Sequence, residues 1–187
     1  PCQAFSRLRH LVEHNGFKVA YNLIPEFERV VLEAHPKWFL MENVPDAPKP
    51  WIGGYVVTDQ LVKDHHVGGA TSRCRRFSFG FFGERADAPF EVETLALHTP
   101  DPEPAVMASG GYRAVPVAVG GSGKRKSTKA RDMGRKTVAA AAAAQGLPPD
   151  FDLPAFTAAA KCKAIGNGVP LAMGRAVARA VREAVGL

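Results

Sequence analysis

Residues 37–45 read KWFLMENVP, and this short stretch decides how the rest of the sequence is interpreted. Four apolar side chains, Trp38 to Met41, stand directly before polar Glu42 and Asn43. This pattern is typical of a buried parallel strand with a polar end, although a short buried helix segment would have the same pattern. In open α/β sheets, ligands bind at the carboxyl ends of the strands. Glu42 is therefore a candidate for proton chemistry, with a structural ion pair to an arginine as the alternative.

The segments around this stretch favour an α/β fold. Residues 22–34 have apolar side chains at helical spacing, with Pro25 in the first turn and a proline soon after the end. GYVVTDQLVKD (54–64) and RCRRFSFGFF (73–82) have the composition and alternation of strands, and we expect them to close as a hairpin. Residues 131–187 turn helical again and end in a helix with one apolar stripe.

Composition divides the chain into three regions. Residues 1–83 form the α/β region, and residues 131–187 form the C-terminal helical segment. Between them, residues 84–130 are rich in Pro, Gly and Ser and end in the basic stretch GGSGKRKSTKAR (120–131). The middle region is either a small lobe or a loop. Its basic end is either a solvated linker or a contact for a nucleic-acid backbone.

The overall composition predicts a globular cytoplasmic protein. The 187 residues are 46% hydrophobic, enough for a sizeable core, and carry a net charge of +6, which favours a polyanionic partner. Three distant cysteines suggest neither a disulfide framework nor a zinc site. HLVEH (10–14) matches a short zinc-protease spacing, but no further ligand accompanies it, so we predict no metal. No apolar run is long enough to cross a membrane, and we predict no membrane partner.

Two further groups could carry chemistry. Arg73 and Arg75 lie two apart in the predicted strand 73–82, so they share one face while Arg76 points to the other. Two forked guanidinium groups suit a phosphate or the carbonyl edge of a base, and a solvated charged face is the alternative. Cys2, in the opening PCQAFS, is either an incidental thiol or a nucleophile on a loop.

Five short motifs in one order turn these separate features into a resemblance. They are PCQAFS (1–6), ENVP (42–45), TSRCRRFSFG (71–80), AQGLPPDF (144–151) and AIGNGVPLAMGRAVARAV (164–181). This succession resembles the catalytic and C-terminal part of the DNA cytosine methyltransferases that modify carbon 5 of the base. The resemblance implies an incomplete Rossmann-like methyltransferase sheet. It also implies that residues 84–130 are a small target-recognition region and that residues 131–187 return to the catalytic domain.

The resemblance also implies roles for individual residues. Cys2 would attack carbon 6 of a cytosine that has been flipped out of the DNA stack, while Glu42 protonates or hydrogen-bonds ring nitrogen 3. Arg73 and Arg75 would hold the base carbonyl and the nearby DNA backbone, and Ser6 would contact a phosphate. DNA is thus the implied partner, and methyl transfer the implied reaction.

The methyl donor implied by the family is S-adenosylmethionine. Asn167 and Gly168 match the family's segment near this donor. Two positions depart from the family pattern: Thr71 stands where glutamine is usual, and Gly168 where serine is common. Side-chain contacts made by the usual residues are therefore not expected at these two points.

The family's glycine-rich donor-binding loop does not occur in this sequence, and the chain starts at the nucleophile loop. We therefore expect the strand containing Phe39 to Met41 to lack neighbours, and the chain to need an N-terminal segment or a second chain to hold its donor. The alternatives are an RNA cytosine methyltransferase and a catalytically silent DNA-binding subunit or remnant. Restriction-modification, host modification and viral self-protection all fit the sequence.

Overall fold

A computed structural model gives the fold of most of the chain. It describes residues 3–5, 9–83, 89–95, 101–106 and 137–187. Structural statements below refer to these residues. Two predicted site residues, Cys2 and Ser6, lie outside them, as does most of the predicted target-recognition region.

Most helices and strands occur where the sequence predicts them, and the helix Arg9–His14 is one that the sequence does not predict. In chain order they are α1 (Arg9–His14), α2 (Ile24–Ala34), β1 (Trp38–Asn43), β2 (Tyr55–Lys63), β3 (Cys74–Phe82), α3 (Val138–Ala144), α4 (Ala158–Asn167) and α5 (Leu171–Ala184). The helix predicted for residues 22–34 is confirmed as α2, with Pro25 in its first turn. The predicted hairpin is confirmed as β2 and β3.

The described chain divides into two compact units. The first comprises Pro1–Lys63, Cys74–Thr94 and Ala176–Leu187. The second comprises Asp64–Arg73 and Leu95–Arg175. This division does not follow the boundaries predicted after residues 83 and 130. The assignment of residues 84–130 to target recognition stays a prediction.

The first unit contains a three-stranded sheet in the order β1-β3-β2. Both pairings are antiparallel, so the prediction of a parallel β1 is wrong as far as its described neighbour is concerned. An apolar run shows that a strand is buried, but burial does not fix the direction of its partner. Within the described residues, β1 pairs on one side only, with β3, so the prediction that this strand lacks neighbours is wrong on that side.

A glycine allows β1 and β3 to pack beneath α2. Phe39 in β1 pairs with Gly80 in β3, and the ring of Phe39 lies over the glycine. A Cβ atom at Gly80 would lie 2.1 Å from Cε1 of that ring. Phe39 is buried and packs edge-on against Phe27 of α2, with ring centroids 5.4 Å apart. The absence of a side chain at residue 80 therefore sets how closely the ring packs on β3.

The core of the first unit lies on both faces of this sheet. On one face, Phe39 packs with Val31 of α2 and with Ile52. On the other face, Phe79 stacks on Phe90 with ring centroids 5.2 Å apart. Burial on both faces places Glu42, near the end of β1, at the margin of a packed layer.

The second unit is built around α3 and α4. Each helix begins at a threonine whose hydroxyl accepts a hydrogen bond from a backbone N–H three residues later: Thr137 from Ala140, and Thr157 from Ala160. Buried alanines of α3 form a cluster with Ile165 of α4. The small side chains permit close helix contact, which brings the AQG and GNG motifs together.

The apolar stripe predicted for the closing helix is confirmed. The helix is α5, and the members of the stripe are all buried: Met173, Val177, Ala180, Val181 and Ala184. None of the helices in the described ranges is long and apolar enough to cross a membrane.

Candidate functional site

Glu42 and Arg75 form an ion pair on one face of the sheet. Arg75 Nε lies 2.8 Å from Glu42 Oε1. Register explains the contact, because Glu42 pairs with Phe77 and Arg75 lies two residues from Phe77 on the same face of β3. The side chain of Glu42 is 36% exposed and that of Arg75 is 19% exposed. The carboxylate is therefore fixed in orientation and still open to a ligand.

The guanidinium of Arg75 makes a second contact with its own strand. Its Nη1 donates a hydrogen bond to the carbonyl oxygen of Cys74 at 2.8 Å. Together the two contacts fix the plane of the guanidinium beside Glu42, and they leave donors for a further acceptor. An arginine held in this way can place a carbonyl or phosphate oxygen beside the carboxylate.

A second ion pair on the opposite face offers a comparison. Arg76 pairs with Asp59 of β2 and donates to the carbonyl oxygen of Pro45 from Nε and Nη2, at 3.2 and 3.1 Å. The prediction that Arg75 and Arg76 point to opposite faces is confirmed by the register. Both ion pairs link neighbouring strands.

Arg73 does not share the environment of Arg75. β3 begins at Cys74, so Arg73 precedes the strand and is not on one strand face with Arg75 as predicted. Arg73 is 4% exposed, and its Nη1 donates to the carbonyl oxygen of Gly166 at 3.0 Å. Its Nη2 lies 3.4 Å from the carbonyl oxygen of Asn167. A contact between Arg73 and DNA stays a prediction, and the described contacts of this guanidinium are with the protein backbone.

Gln145 reaches the same turn, although its sequence context predicts no such contact. Gln145 is buried, with an exposed fraction of 3%. The side-chain Nε2 of Gln145 donates to the backbone carbonyl oxygen of Ile165 at 2.8 Å. The backbone carbonyl oxygen of Gln145 accepts from the N–H of Leu171 at 2.9 Å. The AQG motif was visible, but a buried amide contact leaves no periodic signal in a sequence.

The turn itself carries the two residues matched to the donor segment. Asn167 ends α4, and Gly168 follows it as the C-cap with φ −67°. Both residues are exposed. The backbone behind them is satisfied by protein donors, so the exposed Asn167 side chain is available to a polar ligand. These residues fit contact with the polar part of a donor such as S-adenosylmethionine.

Thr71, one of the departures from the family pattern, has a clear structural role. Its N–H and hydroxyl donate to Oδ2 of Asp64 at 3.0 and 2.7 Å. Thr71 is 1% exposed and Asp64 is fully buried. Gly69 packs against this carboxylate, where a Cβ would lie 1.9 Å from Oδ1. Through these two hydrogen bonds Thr71 joins the two ends of the loop between β2 and β3, two residues before Arg73.

Cys74 does not supply a ready nucleophile. Burial raises the pKa of the Cys74 thiol, although Lys63, Arg75 and Arg76 act in the opposite direction. A raised pKa keeps this thiol protonated at neutral pH. The nucleophile assignment to Cys2 and the phosphate contact of Ser6 fall outside the described residues. The described part of the chain contains no group of three or more His, Cys, Asp or Glu side chains placed to hold a metal ion.

Comparison with known proteins supports the resemblance. The family model of C-5 cytosine-specific DNA methylases matches residues 1–50, a segment that contains PCQAFS and ENVP. Among curated proteins, no sequence matches the chain.

A solved structure of a methyltransferase from Entamoeba histolytica, EhMeth, is similar with a TM-score of 0.61 and 13% sequence identity. The match covers 98% of this chain and 75% of that chain. It confirms the expected fold class, a mixed α/β methyltransferase fold whose described sheet is incomplete.

Proposed function

We propose that this protein transfers a methyl group from S-adenosylmethionine to carbon 5 of cytosine in DNA, through a covalent intermediate on Cys2. The observation that carries the proposal is the family match over residues 1–50, which includes both Cys2 and Glu42. The Glu42–Arg75 pair supports it, because it presents a carboxylate and a guanidinium side by side. DNA is the substrate in the family's own description.

Each proposed group has a defined task. The thiolate of Cys2 adds to carbon 6 of the cytosine, and the electron pair of the carbon 5–carbon 6 double bond becomes available at carbon 5. Glu42 in its protonated form donates a hydrogen bond or a proton to ring nitrogen 3, which stabilises the charge that develops on the ring. After carbon 5 has taken the methyl group, its proton passes to water, the double bond re-forms with expulsion of the Cys2 thiolate, and any proton given to ring nitrogen 3 returns to Glu42.

The donor has a proposed place on the chain's own residues. S-adenosylmethionine, when bound, supplies an electrophilic methyl group. Asn167 and Gly168 would hold part of it, because they are exposed while the backbone behind them is capped. Arg75 keeps the Glu42 carboxylate oriented and can donate a hydrogen bond to the carbonyl oxygen of the base.

The experiment is covalent trapping on duplex DNA that contains 5-fluorocytosine, in the presence of donor. Fluorine at carbon 5 cannot leave as a proton does, so the adduct with Cys2 persists. The chain is tested alone and with an added fragment that carries the glycine-rich donor-binding loop. We expect a denaturation-resistant adduct that disappears in Cys2→Ser.

Two variants make the trapping experiment specific. Glu42→Gln is expected to slow adduct formation by about 100-fold, the lower end of the range for general acid–base catalysis. Asp59→Asn is the matched control, because it breaks a strand-to-strand ion pair on the opposite face and should leave the rate unchanged. No adduct with or without the fragment would favour a silent DNA-binding protein, and trapping on tRNA alone would favour an RNA methyltransferase.

A further inference from the structure

The C-terminal end of α4 is closed by side chains from two distant parts of the chain. The last carbonyls of a helix have no donors within the helix itself. The N–H of Gly168 donates to the carbonyls of Ala164 and Ile165, both at 3.1 Å. The carbonyls of Gly166 and Asn167 are the next two, and they are the acceptors for Arg73. The whole helix end is thus satisfied inside the second unit.

We propose that Arg73 and Gln145 are positioning residues that hold the Asn167–Gly168 turn in the conformation that receives the methyl donor. The inference rests on the proposed function for its link to the donor. It assigns Arg73 to the support of the donor side and replaces the phosphate or base contact expected from the sequence.

Charge explains why an arginine suits this position. The C-terminal end of a helix carries partial negative charge, and α4 has no basic residue in its own last turn. Arg73 supplies the missing cation from outside the helix. Its planar fork also reaches a third carbonyl, that of Val106, which lies 3.4 Å from Nη1. A lysine ammonium in the same space would reach fewer of these acceptors.

Gln145 complements Arg73 by spanning the turn. Its side chain donates to Ile165 before the turn, and its backbone carbonyl accepts from Leu171 after the turn. One residue therefore fixes both ends of the segment 165–171. Three of the recognised motifs, TSRCRR, AQG and GNG, meet through these contacts.

Amide hydrogen exchange of the full chain tests the positioning role without any enzymatic assay. Arg73→Met should accelerate exchange of the amides in the segment 166–171, which are those of all its residues except Pro170, by about tenfold, because charge-assisted hydrogen bonds at the helix end are lost. Arg73→Lys keeps the charge and should give a smaller acceleration. Arg76→Met is the matched control, since Arg76 also donates to a backbone carbonyl, and it should not change exchange in 166–171.

Gln145→Leu provides an independent variant of similar volume. It should accelerate exchange in the same segment, while amides of β2 and β3 keep their wild-type rates. Unchanged exchange in both Arg73→Met and Gln145→Leu would overturn the positioning role. If Arg73→Met does not fold, Arg73→Lys and Gln145→Leu decide the question.

Donor binding then tests the second half of the inference. Equilibrium dialysis with S-adenosylmethionine, on the chain supplemented with the donor-loop fragment, should show affinity reduced by about tenfold in Arg73→Met and unchanged in Arg76→Met. Faster exchange with unchanged donor affinity would overturn the link to the donor. DNA trapping tests the proposed function separately. Absence of an adduct would refute methyl transfer, and the hydrogen-exchange result would still test whether Arg73 and Gln145 hold the Asn167–Gly168 turn.

Discussion

Gly80→Ala is expected to destabilise the protein, because the space for a methyl group at residue 80 is occupied by the ring of Phe39. The added Cβ would lie 2.1 and 2.2 Å from two ring carbons, well inside van der Waals contact. The ring cannot shift freely, since its centroid lies 5.4 Å from those of both Phe27 and Tyr55. Relief therefore requires movement of α2, of β2 or of the strand itself.

The magnitude follows from two opposing effects. Overpacking a closed core costs typically about 1–3 kcal/mol. Alanine in a strand gains about 0.5–1 kcal/mol over glycine through its smaller loss of backbone entropy. With the severe approach to Phe39, we expect a net loss of about 2 kcal/mol. For a chain of this size, that corresponds to a fall in Tm of about 4–8 °C.

Thermal unfolding followed by circular dichroism measures the effect, and Gly174→Ala is the matched control. A Cβ at Gly174 meets nothing within 4 Å, and the residue lies inside α5. The control should therefore raise Tm by a few degrees, since alanine is the better helix former by about 1 kcal/mol. Adding Phe39→Leu should relieve part of the loss in Gly80→Ala. An unchanged Tm in Gly80→Ala, or strictly additive effects in the double variant, would refute the packing argument.

Three other predictions concern the loop, a thiol and a helix cap. Thr71→Val removes the hydroxyl donor to a fully buried carboxylate and should lower the free energy of unfolding in urea by about 1.5–3 kcal/mol. The control Thr58→Val, at an exposed position of β2, should change it by less than about 0.5 kcal/mol. Equal effects of the two variants would contradict the role of Thr71 in the loop. Alkylation of Cys74 by iodoacetamide should be slower in the folded than in the urea-unfolded chain, and its rise with pH should occur at higher pH because burial raises the thiol pKa; peptide mapping by mass spectrometry would show equal rates if this is wrong. Thr157→Ala should lower Tm by about 2–4 °C through loss of the N-cap of α4. A fall in Tm no larger than that caused by the same substitution at an exposed threonine outside a helix cap would contradict the capping role.

The sequence predicted local structure well because the signals for it are local. Helical spacing and a first-turn proline were enough to predict α2, and alternation of phenylalanines was enough to predict β3. The direction of β1 was not predictable, because an apolar run is equally compatible with parallel and antiparallel neighbours. Strand pairing is a non-local property, and here it depends on a strand that follows β1 by some thirty residues of chain.

The candidate site shows the same division. The ion pair of Glu42 with an arginine was weighed as an alternative from the sequence, and the structure supplies Arg75 as its partner. The environment of Arg73 was not predictable. The alternation of side chains applies only within a strand, and β3 begins one residue after Arg73, at Cys74. Gln145 was missed because its contacts join segments far apart in the chain. Burial of a polar side chain against backbone carbonyls has no signature in residue spacing.

The one-sided pairing of β1 has a practical consequence for the behaviour of the protein in solution. Along its other side, no described strand occupies the N–H and C=O groups that point outward in the sheet plane. Trp38, at one end of this strand, is 39% exposed and adds apolar surface next to that edge. Open edges of this kind recruit strands from other molecules and lead to aggregation. Self-association through this edge should therefore increase with protein concentration, and a strand that covers the edge would reduce aggregation as well as complete the sheet.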